Sequence, residues 1–149
     1  MLNSANNEIL TRVGPGTAMG GLFRQFWQPA LLCEELPAPD CPPVRVRLMG
    51  ENFVAFRDSS GKVGLLDAHC PHRLAELFFG RNEEGGLRCV YHGWKFSVTG
   101  ELLDMPSEPA GSPMRCNPNI RAKAYSVHEA GGIVWAYLGP QECVPPLPQ

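Results

Sequence analysis

At 149 residues, with 44% hydrophobic and 19% charged residues, the chain is long enough for one domain with a core of its own. Thirteen Lys and Arg against 15 Asp and Glu leave a formal net charge of −2, which gives no electrostatic case for binding nucleic acid. No apolar run reaches the roughly 18 residues a membrane-spanning helix needs, and 16 Gly with 15 Pro point to a turn-rich, mostly β domain.

Met1 to Glu8 is polar, and no charged and then apolar leader precedes Arg12. A cytoplasmic location with reduced cysteines is therefore the expectation. Thr17 suits a helix N-cap, and the spacing predicts a short helix over Ala18 to Trp27 with Leu22, Phe23, Phe26 and Trp27 on one face and Pro29 ending it. After the Pro-rich turn from Pro37 to Pro43, Val44 to Leu48 alternates apolar and charged, the pattern of a half-buried strand. Phe53 to Arg57 and Val63 to Leu66 read as the next two strands of a meander, separated by Gly50-Glu51-Asn52 and Asp58-Ser59-Ser60-Gly61.

Between Asp67 and Asp104, short apolar pieces at Leu77 to Phe79, Leu87 to Val90 and Trp94 to Val98 alternate with loops that carry Cys and His. Met105 to Pro118 reads as a long surface connection. Ala124 to His128 and Ile133 to Leu138 read as two closing strands around Gly131-Gly132. The tail from Cys143 to Gln149, with Pro145, Pro146 and Pro148, suits an extended linker.

The strongest signal is Cys70-Pro71-His72, then sixteen residues, then Cys89-Val90-Tyr91-His92. Two short loops, each with one thiol and one imidazole, can face each other and enclose a metal. A Rieske [2Fe–2S] centre takes one Cys and one His from each loop, with Cys70 and Cys89 on one iron and His72 and His92 on the other. A structural zinc module is the competing reading of Cys₂His₂. Zinc fingers, however, put two Cys in one pair and two His in the other, whereas both pairs here are mixed.

His69-Cys70-Pro71-His72-Arg73 and Cys89-Val90-Tyr91-His92-Gly93-Trp94-Lys95 resemble the cluster loops of Rieske non-haem iron oxygenases. Gly14 to Thr17, Phe26 to Ala30, Asp104-Met105-Pro106 and Trp135 to Pro140 resemble the phthalate-dioxygenase branch of that family. The resemblance implies an all-β fold, an antiparallel β-sandwich with a two-loop cluster subdomain, here with a short N-terminal helix. It implies a Rieske domain over 1–142 and a Pro-rich linker over 143–149 toward a catalytic domain outside this chain. It also implies electrons from an NAD(P)H-dependent reductase, delivery to mononuclear Fe(II) in that catalytic domain for attack on an aromatic substrate, and a homotrimer. The high-potential Rieske proteins of respiratory complexes carry an extra Cys pair where Ala75 and Tyr91 stand, and hydroxyls where Trp94 and Phe96 stand. Fewer donors to the sulfurs place the expected potential on the order of −150 mV. A free-standing Rieske-type ferredoxin remains the second low-potential reading.

Arg73, Gly93, Trp94 and Lys95 flank the ligands; Gly93 allows a sharp turn, and the others shield the cluster or offset its charge unless they are ordinary loop and packing residues. His69 is expected to point away from Cys70, and His128 to lie on a strand surface. Cys33, Cys41, Cys116 and Cys143 read as free, partly buried thiols. Glu83 and Glu84, with Arg81 and Arg88 nearby, read as a solvated loop tip.

Overall fold

The computed structural model describes residues 2–148, the side chain of Cys116 excepted; Met1 and Gln149 lie outside the described residues. Ten strands form two antiparallel sheets. β1 (Trp27–Leu32), β2 (Val44–Leu48), β3 (Glu51–Arg57), β4 (Val63–Asp67), β9 (Ala124–Ala130) and β10 (Ile133–Tyr137) make the larger one, in the order β1-β10-β9-β4-β3-β2. Its outer strands β1 and β2 also touch each other, so the sheet curls toward a barrel. The smaller sheet runs β5 (Arg81–Glu83), β6 (Gly86–Arg88), β7 (Lys95–Phe96), β8 (Leu102–Asp104) and is inserted between β4 and β9.

β3 and β4 are the shared wall between two cores. A strand sends successive side chains to opposite faces. Phe53, Ala55, Val63 and Leu65 therefore enter a first core with Val46, Tyr125, Val134 and Ala136. Val54, Phe56 and Leu66 enter a second, with Leu77, Leu87, Phe96, Met105 and, notably, Cys70, Cys89 and Trp94. Asn82 fastens the two sheets, its Nδ2 donating to the carbonyls of Arg57 at 2.7 Å and Cys41 at 2.9 Å.

β2, β3, β4, β9 and β10 fall where the sequence places them. The N-terminal region differs. The predicted helix stops at Phe23, as α2 (Ala18–Phe23) capped by Thr17, because Trp27 is drawn into β1 opposite Tyr137. Leu22, Phe23 and Phe26 are consequently exposed and share no buried face. An unforeseen helix, α1 (Ser4–Thr11), is capped by Asn3 and buries no residue, so it lacks the apolar stripe by which helices are recognised. β1 was hidden by Pro29, which an edge strand tolerates where its register slips between Pro29 and Leu31.

Residues 105–118 are more than a surface connection: Met105 is 1% exposed, and the Arg115 guanidinium donates to the carbonyls of Met105 and Glu108, each at 2.8 Å. At the tail, the Pro145 carbonyl accepts from the Trp27 indole at 2.9 Å, and Pro145 to Pro148 line a cavity with Phe26, Trp27 and Trp135. No helix among the described residues is long and apolar enough to cross a membrane.

Candidate metal centre

Two loops of matching construction emerge from the second core. In the first, the Cys70 amide donates to the Ala75 carbonyl at 2.8 Å and the Leu74 amide to the Cys70 carbonyl at 2.9 Å. In the second, the Cys89 amide donates to the Trp94 carbonyl at 2.8 Å and the Gly93 amide to the Cys89 carbonyl at 3.1 Å. Each loop thus closes from its cysteine to the residues four and five places on. The fourth is left-handed in both, Leu74 with φ 57° and Gly93 with φ 75°. The closure turns the histidine between them toward the opposite loop.

Cys70 and Cys89 are buried side by side at 2% and 3% exposure. The imidazoles of His72 and His92 lie outward of them, with ring centroids 4.6 Å apart. Burial, and then the adjacent Cys89, push the Cys70 thiol up to about 11, while backbone N–H groups of His72 and Arg73 oppose the rise. Those amides are donors available to a thiolate once a metal displaces the proton. Burial, with His92 and Arg73 as like-charged neighbours, lowers the His72 pKa and keeps the imidazole neutral. Its Nδ1 is buried with no hydrogen-bond partner. A buried polar atom without a partner is costly unless something is bound to it, and a neutral imidazole nitrogen has a lone pair for metal.

The arrangement fits a binuclear cluster. One cysteine and one histidine come from each loop, which is the donor set a Rieske cluster takes. The two thiols and two imidazoles form two facing pairs, one deep and one shallow.

The flanking residues divide. The Trp94 indole stacks on His72, with centroids 4.4 Å apart and planes within 2°, and its Nε1 donates to Ser107 Oγ at 3.2 Å. Tyr91 packs on His92 with centroids 3.9 Å apart, but is itself exposed. Arg73 is exposed and near enough to His72 to depress its pKa. Lys95 is neither solvated nor aimed at the loops: it is 7% exposed, with Nζ 3.1 Å from Glu84 Oε2 across the β5–β6 hairpin. His69 is exposed near Asp67, and His128 is exposed on β9, edge-on to Trp27. Cys33, Cys41 and Cys143 are free thiols; Cys143 is exposed and not partly buried, because it lies on a turn outside the sheets.

The largest departure concerns Arg88. Its side chain, 14% exposed, is the hub of a network and no part of a solvated tip. It donates to Glu83 at 2.6 Å, to Asp104 at 2.8 Å and to the Gly93 carbonyl in the second loop at 2.7 Å. Arg115 binds the other Asp104 oxygen at 3.0 Å. These contacts hold residues 104–108 as a strap beside the second loop, close enough that a Cβ on Gly93 would lie 2.6 Å from Pro106 Cγ. The only sequence signal for the network is an arginine adjoining a candidate ligand cysteine, opposite an aspartate two strands away.

A family model for the Rieske [2Fe-2S] domain matches residues 26–126. The chain is 50% identical over 145 residues to the phthalate 4,5-dioxygenase oxygenase subunit of Pseudomonas putida, covering 97% of this chain and 33% of that protein. It is 51% identical over 149 residues to the 3-chlorobenzoate-3,4-dioxygenase oxygenase subunit of Comamonas testosteroni, covering 100% of this chain and 34% of that protein. The solved structure of dicamba monooxygenase with non-heme iron and dicamba matches with a TM-score of 0.73 and 28% identity, over 85% of this chain and 38% of the other. An oxygenase–ferredoxin complex of carbazole 1,9a-dioxygenase matches with a TM-score of 0.72 and 28% identity, over 93% of this chain and 33% of the other. The chain thus spans about a third of the length of the curated relatives it matches.

Proposed function

This chain belongs to the Rieske [2Fe–2S] domain family, and we propose that it relays electrons within an aromatic-ring oxygenase, with Cys70 and Cys89 on one iron and His72 and His92 on the other. The observation that carries this reading is the pair of matched loops, which set two buried thiols behind two imidazoles and leave His72 Nδ1 buried and unpartnered. When bound, the cluster supplies one-electron transfer at a potential raised above all-Cys clusters by its imidazole ligands. The chain's own residues supply the rest. Backbone amides of His72 and Arg73 stabilise the Cys70 thiolate, burial excludes water from the sulfurs, and the neutral His72 presents a lone pair.

The electron donor is an NAD(P)H-dependent reductase, and the acceptor is mononuclear Fe(II) in a catalytic domain beyond this chain. The full-length protein is a cytoplasmic homotrimer acting on an aromatic acid. The relatives named as oxygenase subunits of phthalate and 3-chlorobenzoate dioxygenases, of which this chain matches one third, support the aromatic-oxygenase setting. The ligand assignment is tested by anaerobic reconstitution of the chain with iron and sulfide. Two irons and two acid-labile sulfides per chain, a red-brown colour and reduction by NAD(P)H with an oxygenase-system reductase are expected. A colourless chain with one bound zinc and no sulfide would refute it.

A further inference from the structure

The two histidines are supported unequally. His92 leans on Tyr91, 60% exposed and tilted 42° to it. His72 lies flat against Trp94, which is 6% exposed and is itself held at Nε1 by Ser107. Ser107 has its place because Arg88 and Arg115 both grip Asp104, and Arg115 also binds the carbonyls of Met105 and Glu108 on either side. The contacts run unbroken from the Arg88 network, through the strap, to the plane of one imidazole.

We propose that Ser107 and Trp94 are positioning residues that fix the ring plane of His72 at the cluster and bias that cluster toward its oxidised state. The inference rests on the assignment of His72 as a ligand. A side chain that must hold its orientation needs a neighbour that is locked in turn, and an indole tethered at its N–H cannot rotate in its plane or slide. The bias follows from charge. An imidazole bound to iron is electron-poor, more so when the iron is oxidised, and the indole face is the negative part of the ring quadrupole. The same indole keeps water, which would favour the more negative reduced form, from one side of His72. Both effects favour the oxidised cluster, so loss of the indole face raises the potential.

The test compares Trp94→Leu, Trp94→Phe and Ser107→Ala in the reconstituted chain, with Phe96→Leu as a packing control. Phe96 is buried with its ring 6.4 Å from Trp94 and, among the described residues, stacks on neither histidine. The midpoint potential should rise in Trp94→Leu and rise less in Ser107→Ala and in Trp94→Phe, which keeps an aromatic face but loses the tether to Ser107. The imidazole hyperfine couplings of the reduced cluster should broaden in Ser107→Ala, and iron loss to a chelator should quicken by about tenfold or more in Trp94→Leu. Phe96→Leu should lower thermal stability and leave the potential alone. Ser107 is exposed, so its substitution leaves folding intact and keeps the test decisive even if Trp94→Leu does not fold. Wild-type potential and couplings in Ser107→Ala, or a shift in Phe96→Leu as large as in Trp94→Leu, would reduce both residues to packing. Failure of the wild-type chain to bind a two-iron cluster is a different result and overturns the ligand assignment itself.

Discussion

Leu74 and Gly93 hold the same left-handed corner in the two loops under unlike conditions. Leu74 is 71% exposed, and its left-handed backbone is the only strain there. Gly93 faces Pro106, where an added Cβ would meet Cγ at 2.6 Å. Leu74→Ala should therefore change stability by no more than about 0.5 kcal/mol. Gly93→Ala, which adds both a strained corner and a clash with the strap, should cost about 1–3 kcal/mol in chemical denaturation. Asp104 gives the pH dependence at this scale. Hydrogen bonding to Arg88 holds its carboxyl below the usual carboxylate value against a smaller opposing effect of burial. A depressed folded pKa means a contribution fully present above the ordinary Asp value and lost as pH falls through the folded one. Acid unfolding followed by circular dichroism below about pH 4 should be less steep in Asp104→Asn than in wild type. Arg88→Met, which leaves Asp104, Glu83 and the Gly93 carbonyl short of a charged donor, should cost about 2 kcal/mol at neutral pH.

Elements marked by alternation or by an apolar run between turns were legible in the sequence, and those built on tertiary contact were not. Val44 to Leu48 shows its strand because each second side chain is apolar, whereas β3, β4 and β10 show as short apolar runs bounded by turns. β1 contains a proline and depends on pairing with β10; α1 has no buried face; the strap owes its order to two arginines distant in sequence. The same division runs through the metal centre. The Cys and His spacing made the four candidate ligands readable, whereas Leu74, Arg88 and Ser107 are unremarkable in type and gain their roles only when the loops are folded. Asn82 belongs with them: a polar residue at a hairpin base whose amide satisfies two carbonyls of the neighbouring segments. Asn82→Ala should cost about 1–3 kcal/mol, and hydrogen exchange should quicken in β5 and β6 more than in β9 and β10.

Across the whole molecule, the shared wall of β3 and β4 allows the two cores to be disturbed separately. Phe53 and Phe56 lie on one strand, are both buried and point to opposite cores. Either truncation to Ala should destabilise by about 3–5 kcal/mol. Only Phe56→Ala opens space in the core that contains Cys70, Cys89 and Trp94, so only it should hasten iron loss under native conditions. Equal iron loss in both variants would show that the wall transmits disturbance and does not divide it.

The placement of the three tryptophans has an optical consequence. Trp94 lies flat on a proposed iron-ligating ring, where contact with the metal centre quenches an excited indole. Trp27 and Trp135 stand together at the far edge of the larger sheet, around the cavity shared with Pro145 to Leu147. Emission from the loaded chain therefore reports the sheet edge and the tail, and the return of the Trp94 signal reports departure of the metal. One spectrum distinguishes a molecule that has lost its iron from one that has lost its fold.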